Sequence, residues 1–191
     1  MIAIAAISAP CGAQTRDDYC GADLPRALTQ SVDQARSGRY VNQTYGYSVG
    51  IPSGMQAFVL PGGPARGFWV LLSTGPLAFV RVDASYDVFY DITPTAVHQR
   101  DLNAIRLHDV VLADSSLDAA LSNEPARRSR MQLRCAVGGT LRAHEEVIAL
   151  RRREIYRLDL QTTPERLAAD SRVLDALVRS WRWEPVSGSA R

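Results

Sequence analysis

The run EIYRLDLQTT, residues 154–163, constrains this chain more than any other stretch. Tyr156, Leu158 and Leu160 alternate with Arg157, Asp159 and Gln161, a period of two that gives a strand one apolar face and one charged face. Thr163 and Pro164 then supply a cap and a first-turn residue, and the following residues carry Leu167, Leu174, Leu177, Val178 and Trp181 on one stripe of a helix. Such a strand needs partners beside it, and such a helix needs an apolar face to lie on. The chain therefore has to build a sheet with at least one helix packed against it.

Upstream residues supply the other pieces. Tyr45, Tyr47, Val49 and Ile51 alternate with small or polar residues until Pro52 and Gly54, the pattern of a half-buried strand. The stretch GFWVLLSTGPLAFVRVDASYDV reads as two strands broken at Ser73–Pro76, which is antiparallel hairpin material. Thr93 and Pro94 open a helix that runs towards Leu107. Residues 108–123 are ambiguous, with DVVLA as a short strand and DSSLDAALS as about two helical turns. NEPARRSR reads as a polar connection, Met131–Val137 and His144–Leu150 as strands, and Arg151–Arg153 as the turn before the strand at Tyr156. At the front, Asp23–Gly38 has the cap, early Pro25 and apolar spacing of a helix.

The length of 191 residues, 46% of them hydrophobic, suits one domain with a single core. All 22 basic residues are arginine, which excludes Schiff-base and P-loop lysine chemistry. Residues 1–119 hold 8 arginines against 11 acids and residues 120–191 hold 14 against 9, but the basic residues are interleaved with acids and the net charge is only +2. That balance argues against nucleic-acid binding. Residues 1–14, MIAIAAISAPCGAQ, resemble the back half of a secretory signal, with small residues near Ala13. No later apolar run reaches membrane-spanning length. The expected organisation is a leader remnant over 1–14, a helical segment over 15–38, one domain over 39–184 and a tail over 185–191. With the leader removed Cys20 and Cys135 remain, an even count that predicts a disulfide in a periplasmic or secreted protein. Two unrelated buried thiols are the alternative.

Gly46, Tyr47, Ser48, Val49 and Gly50 spell G-x-S-x-G, the nucleophile-elbow pattern of serine hydrolases. An elbow requires a helix directly after the serine, whereas Ile51, Pro52, Ser53 and Gly54 cannot propagate one. Ser48 is therefore expected on a continuing strand, with no catalytic role. His98 and Asp101 are three apart on a helix but lack a second ligand pair, so His98 is expected to face solvent and no metal is expected. Asp83, Asp87 and Asp91 are read as solvated. Gly62, Gly63 and Gly67 precede a strand, so they lack the helix N-terminus that holds phosphate, and no cofactor is expected. Asn42 opens a formal glycosylation sequon. Aromatic residues are dense in the first half, and Tyr47, Trp69, Tyr86 and Arg81 are the candidate anchors of a partner-binding face.

In order, the chain offers the strand YGYSVGIPSG, an aromatic hairpin, a helical middle, the hairpin EEVIALRRREIYRLDLQTT and the closing helix PERLAADSRVLDALVRSWRW. Over residues 39–183 this resembles the PsbP-like superfamily, in which a YGYSVxIPxG-like strand and a closing helix running into SWRW-like residues frame the domain. The resemblance implies an α+β fold, an α-β-α sandwich around an antiparallel sheet. It carries over no catalytic residues and implies a binding or assembly module, with another protein as partner; an inhibitor or immunity-type role fits the same class. The competing expectations are a small hydrolase using Ser48 and a carrier of a small apolar ligand.

Overall fold

The computed structural model describes residues 20, 35–59, 67–72, 78–87, 89–91, 93–136 and 138–186. The leader expected over 1–14, most of the helix expected over 23–38, Gly62, Gly63 and the end of the tail lie outside these residues. The described chain forms eleven strands and two helices. Strands β1 (Ala35–Arg36), β4 (Ala57–Val59), β5 (Gly67–Leu71), β6 (Phe79–Tyr86), β7 (Val110–Leu121), β8 (Glu124–Arg134), β9 (Leu141–Arg151) and β10 (Glu154–Thr162) build one antiparallel sheet in the order β1-β4-β5-β6-β10-β9-β8-β7. Strands β2 (Arg39–Asn42), β3 (Tyr47–Gly50) and β11 (Arg182–Trp183) make a second, small sheet with β3 in the middle. Helix α1 (Pro94–Arg106) packs on the β7–β9 side of one face, and α2 (Leu167–Ser180) packs with the small sheet on the other. The α+β sandwich expected from the sequence is the architecture found.

Three elements differ from the sequence reading. Residues 35–36 are a strand rather than the end of a helix. Most of the ambiguous segment 108–123 is one long strand, β7, with no helical turn over DSSLDAALS, and NEPARRSR from Glu124 on is the first half of β8 rather than a connection. The two form a hairpin closed by Ser122 and Asn123, both in the left-handed region at φ 47° and 74°. A strand survives this polar sequence because its arginines find acids on neighbouring strands. Arg127 binds Asp118 at 2.9 Å across the hairpin, and Arg128 and Arg130 both reach Glu145 on β9, at 2.7 and 2.9 Å. The final helix begins at Leu167, after a turn through Thr163–Arg166, and not at Pro164.

The main core lies between the large sheet and the layer formed by α2 and the small sheet. Tyr47, Val49, Phe68, Val80, Val82, Val147, Leu158, Leu160, Leu174, Leu177 and Trp181 are buried there. Trp181 stacks flat on Tyr47, and Tyr156 meets both rings edge-on at 5.9 Å. These are the favoured offset and T-shaped geometries of aromatic pairs. Close approach of β5 to β6 requires a glycine: a Cβ on Gly67 would stand 1.7 Å from the Val82 carbonyl oxygen. Cys20 and Cys135 form a disulfide with Cα atoms 5.7 Å apart, which fixes residue 20 beside the end of β8.

Candidate functional site

Ser48 lies on β3, wholly buried, with its hydroxyl committed at both ends. Its Oγ accepts from Arg39 Nη1 at 2.7 Å and donates to Glu184 Oε1 at 2.6 Å. A hydroxyl that gives its proton to a carboxylate across the small sheet ties β2, β3 and the segment after β11 together. The chain after it turns through Ser53 and Gly54 into further extended structure, so the helix that an elbow requires is absent here.

Of the four aromatic and arginine anchors expected on an exposed face, three are covered. Tyr47 is at the centre of the core, while Trp69 and Arg81 are buried on the opposite face of the large sheet, with Arg81 over the Trp69 ring at 5.6 Å. Period-two alternation would put Arg81 in water if only one face of the sheet were covered, but here both faces are. Arg81 instead bonds Asp159 on β10 at 3.1 Å. Tyr86 alone is exposed, at 51%. The aromatic face proposed from sequence is thus corrected to its one surviving member.

The face under α1 carries a polar layer, and His98, expected to face solvent, is part of it. His98 is buried on α1 and bonds Glu146 of β9 at 2.7 Å, with Asp114 of β7 at 3.5 Å on its other nitrogen. Ser129 Oγ of β8 donates to the same Glu146 carboxylate at 3.0 Å. One strand away, His144 meets Asp159 at 2.5 Å. Arg157 of β10 bonds Asp101 of α1. The Glu146 hydrogen bond raises the His98 pKa against the opposing effect of burial. Burial works against charging His144 too, yet the adjacent Asp159 carboxylate raises it, and the histidines in turn hold Glu146 and Asp159 below their ordinary range despite burial. Each histidine faces a carboxylate, which makes these pairs ionic fastenings between α1 and the sheet or between strands. The solvated readings of His98 and Asp87 fail for this reason: Asp87 is also buried, with Oδ1 accepting from the Phe89 amide at 3.1 Å and standing 3.8 Å from Arg100. Among the described residues no three His, Cys, Asp or Glu side chains are grouped to hold a metal ion.

Among the described residues the exposed large aromatics gather at the end of the sheet where Tyr86 ends β6. There the turn Arg152–Arg153 joins β9 to β10, and the Asp87 amide donates to the Arg153 carbonyl at 2.9 Å, which binds the loop after β6 to this hairpin. Phe89 and Tyr90 protrude from the loop at 68% and 65% exposure. Arg100 stands over Phe89 at 4.6 Å and Arg153 over Tyr90 at 5.1 Å, so both rings are braced by guanidinium groups. Tyr90, Arg152 and Arg153 all have left-handed backbone, at φ 58°, 54° and 67°. Two sequence signals could have located this end. One is an aromatic pair inside the short loop between Asp87 and Asp91, and the other is three successive arginines in a turn.

No family model and no curated protein matches the chain. Solved structures do match. Cyanobacterial PsbP (CyanoP) from Synechocystis aligns over 80% of this chain and 94% of its own, at 17% identity and a TM-score of 0.51. The Ran-binding protein Mog1p from Saccharomyces cerevisiae aligns over 80% of this chain and 98% of its own, at 10% identity and a TM-score of 0.52. With a helix on each face of an antiparallel sheet, a small sheet closed by β11 and this structural likeness to CyanoP, the protein has the PsbP-like fold.

Proposed function

We propose that this protein is a secreted or periplasmic, non-enzymatic binding or assembly module that holds another protein at the end of its large sheet. The observation that carries the reading is the exposed set Tyr86, Phe89, Tyr90, Arg152 and Arg153 on one end of the molecule. Large aromatics with arginine are the residue types that dominate protein interfaces, and a soluble domain has no packing reason to leave two adjacent rings in water. The disulfide between Cys20 and Cys135 supports an oxidising compartment. An inhibitory or immunity-type role is one form this binding could take. Ser48, the residue on which a hydrolase reading depends, is buried and spends its proton on Glu184.

The test is affinity purification from the envelope fraction with the wild-type chain and the Phe89→Ala/Tyr90→Ala double variant as parallel baits. A partner recovered by the first and lost from the second is the expected result. Recovery of the same proteins by both baits, or of nothing above background by either, would count against the proposal.

A further inference from the structure

Resting on that reading, we infer that the partner offers this end an acidic segment, with carboxylates flanking an apolar or aromatic side chain. The charges at this end are unevenly committed. Asp91 bonds Arg100, Asp87 stands near the same guanidinium, Glu154 accepts from the Tyr156 hydroxyl, and Glu124 pairs with Arg151 at 3.2 Å. The acids are therefore occupied by the chain's own donors, while Arg152 and Arg153 are both exposed. Arg153 lies over the Tyr90 ring, and stacking uses the flat face of a guanidinium, leaving its in-plane N–H groups to grip a carboxylate through two parallel hydrogen bonds. Phe89 and Tyr90 beside it supply the apolar contact.

The backbone adds an independent observation. Among the described residues two two-residue hairpins close at this end, and each holds both loop residues in the left-handed region. Ser122–Asn123 adopts that conformation with a serine and an asparagine, of which the asparagine tolerates it. Arg152–Arg153 adopts it with two long side chains that do not, where Asn-Gly would be the relaxed choice. A hairpin that keeps two strained arginines, rather than the relaxed pair, holds them for what they touch.

The strain also provides a variant that cannot fail merely by unfolding. Arg152→Asn with Arg153→Gly relaxes the turn and is expected to raise Tm while removing the two charges. A phage-displayed library of random 12-residue peptides is panned against the disulfide-intact wild type, this hairpin variant and the Phe89→Ala/Tyr90→Ala variant. The wild type is expected to enrich peptides of net negative charge. Their affinity should fall at least tenfold on the hairpin variant despite its higher Tm, and it should fall again when peptide acids are replaced by amides. Enrichment of neutral or basic peptides that still depend on Phe89 and Tyr90 would overturn the acidic partner and leave the binding reading standing. Peptides indifferent to both variants, or no enrichment, would overturn both. Sedimentation with vesicles of equal parts phosphatidylglycerol and phosphatidylcholine is the second arm. Arginine-dependent binding to these vesicles without enrichment of acidic peptides would assign the end to an anionic membrane and overturn the inference.

Discussion

Trp181 lies flat on Tyr47, with ring centroids 4.5 Å apart and planes 5° from parallel, so the residue that ends the last helix covers the first residue of the middle strand of the small sheet. Both side chains are fully buried. Replacement of Trp181 by Ala should cost about 3–5 kcal/mol, because it removes transfer energy and leaves a cavity between two sheets. Trp181→Phe keeps much of the stack and should cost distinctly less. Urea denaturation followed by circular dichroism measures both, and equal midpoints for Ala and wild type would contradict the stated role of the stack.

Ser48 is the next test. Truncation to Ala leaves Glu184 without its donor and Arg39 without an acceptor, so stability should fall by about 1–2 kcal/mol. A fluorophosphonate probe should leave the wild type unlabelled under conditions that label a control hydrolase. Labelling at Ser48, seen by mass spectrometry, would reverse its assignment as a structural hydroxyl.

The polar layer under α1 predicts how stability varies with pH. His98 has a raised pKa in the folded state, so its stabilising contribution is complete below the ordinary histidine value of 6.5 and disappears as pH rises through the folded value. Glu146 and Asp159 are lowered, so theirs is present above the ordinary carboxylate values of 4.5 and 3.8 and is lost as pH falls through the folded ones. Tm should therefore be highest between about pH 4.5 and 6.5, the span in which both conditions hold. The groups facing His98 are Glu146 and Asp114 on the sheet beneath α1, with Ser129 on the same Glu146 carboxylate. His98→Gln should lower Tm within that span and flatten its decline on the alkaline side. A variant whose Tm still falls as steeply as wild type above pH 6.5 would place the alkaline transition elsewhere.

Breaking the bond between Cys20 and Cys135 should be costly, because it closes a loop with a sequence separation of 115 residues. A loss of about 2–5 kcal/mol is expected on reduction. Denaturation with and without reductant measures it, and Cys135→Ser should match the reduced wild type.

Much of the sheet and both described helices were readable because apolar spacing and punctuation agreed. Thr93 accepts the Ala96 amide at 3.1 Å with Pro94 behind it, as a capped helix start should. The alternation at Tyr156–Leu160 fed the main core as expected. The β7–β8 hairpin was readable only at its base, in DVVLA and from Met131, because β7 is mostly exposed and the arginines of β8 satisfy acids on neighbouring strands, a pairing that adjacent residues do not reveal. Arg81 and His98 misled for the opposite reason. Arg81 is on the second face of a sheet covered on both sides and His98 on the helix that packs there, and their partners lie far along the chain. The exposed aromatic end was half visible: Tyr86 was singled out, whereas Phe89, Tyr90, Arg152 and Arg153 converge only once the loop after β6 bonds the β9–β10 turn.

The small sheet also sets an order of events in the making of this protein. Its middle strand is made early in the domain, but Trp181, the β11 strand and Glu184 are made after its other described elements. Until they emerge, Tyr47 has no ring above it and Ser48 has no acid to hold. Domains usually fold as whole units, so a growing chain of this protein leaves the domain unclosed until β11 is made. Whatever handles it before then meets an open sheet, and a truncation just before Trp181 would keep it in that state.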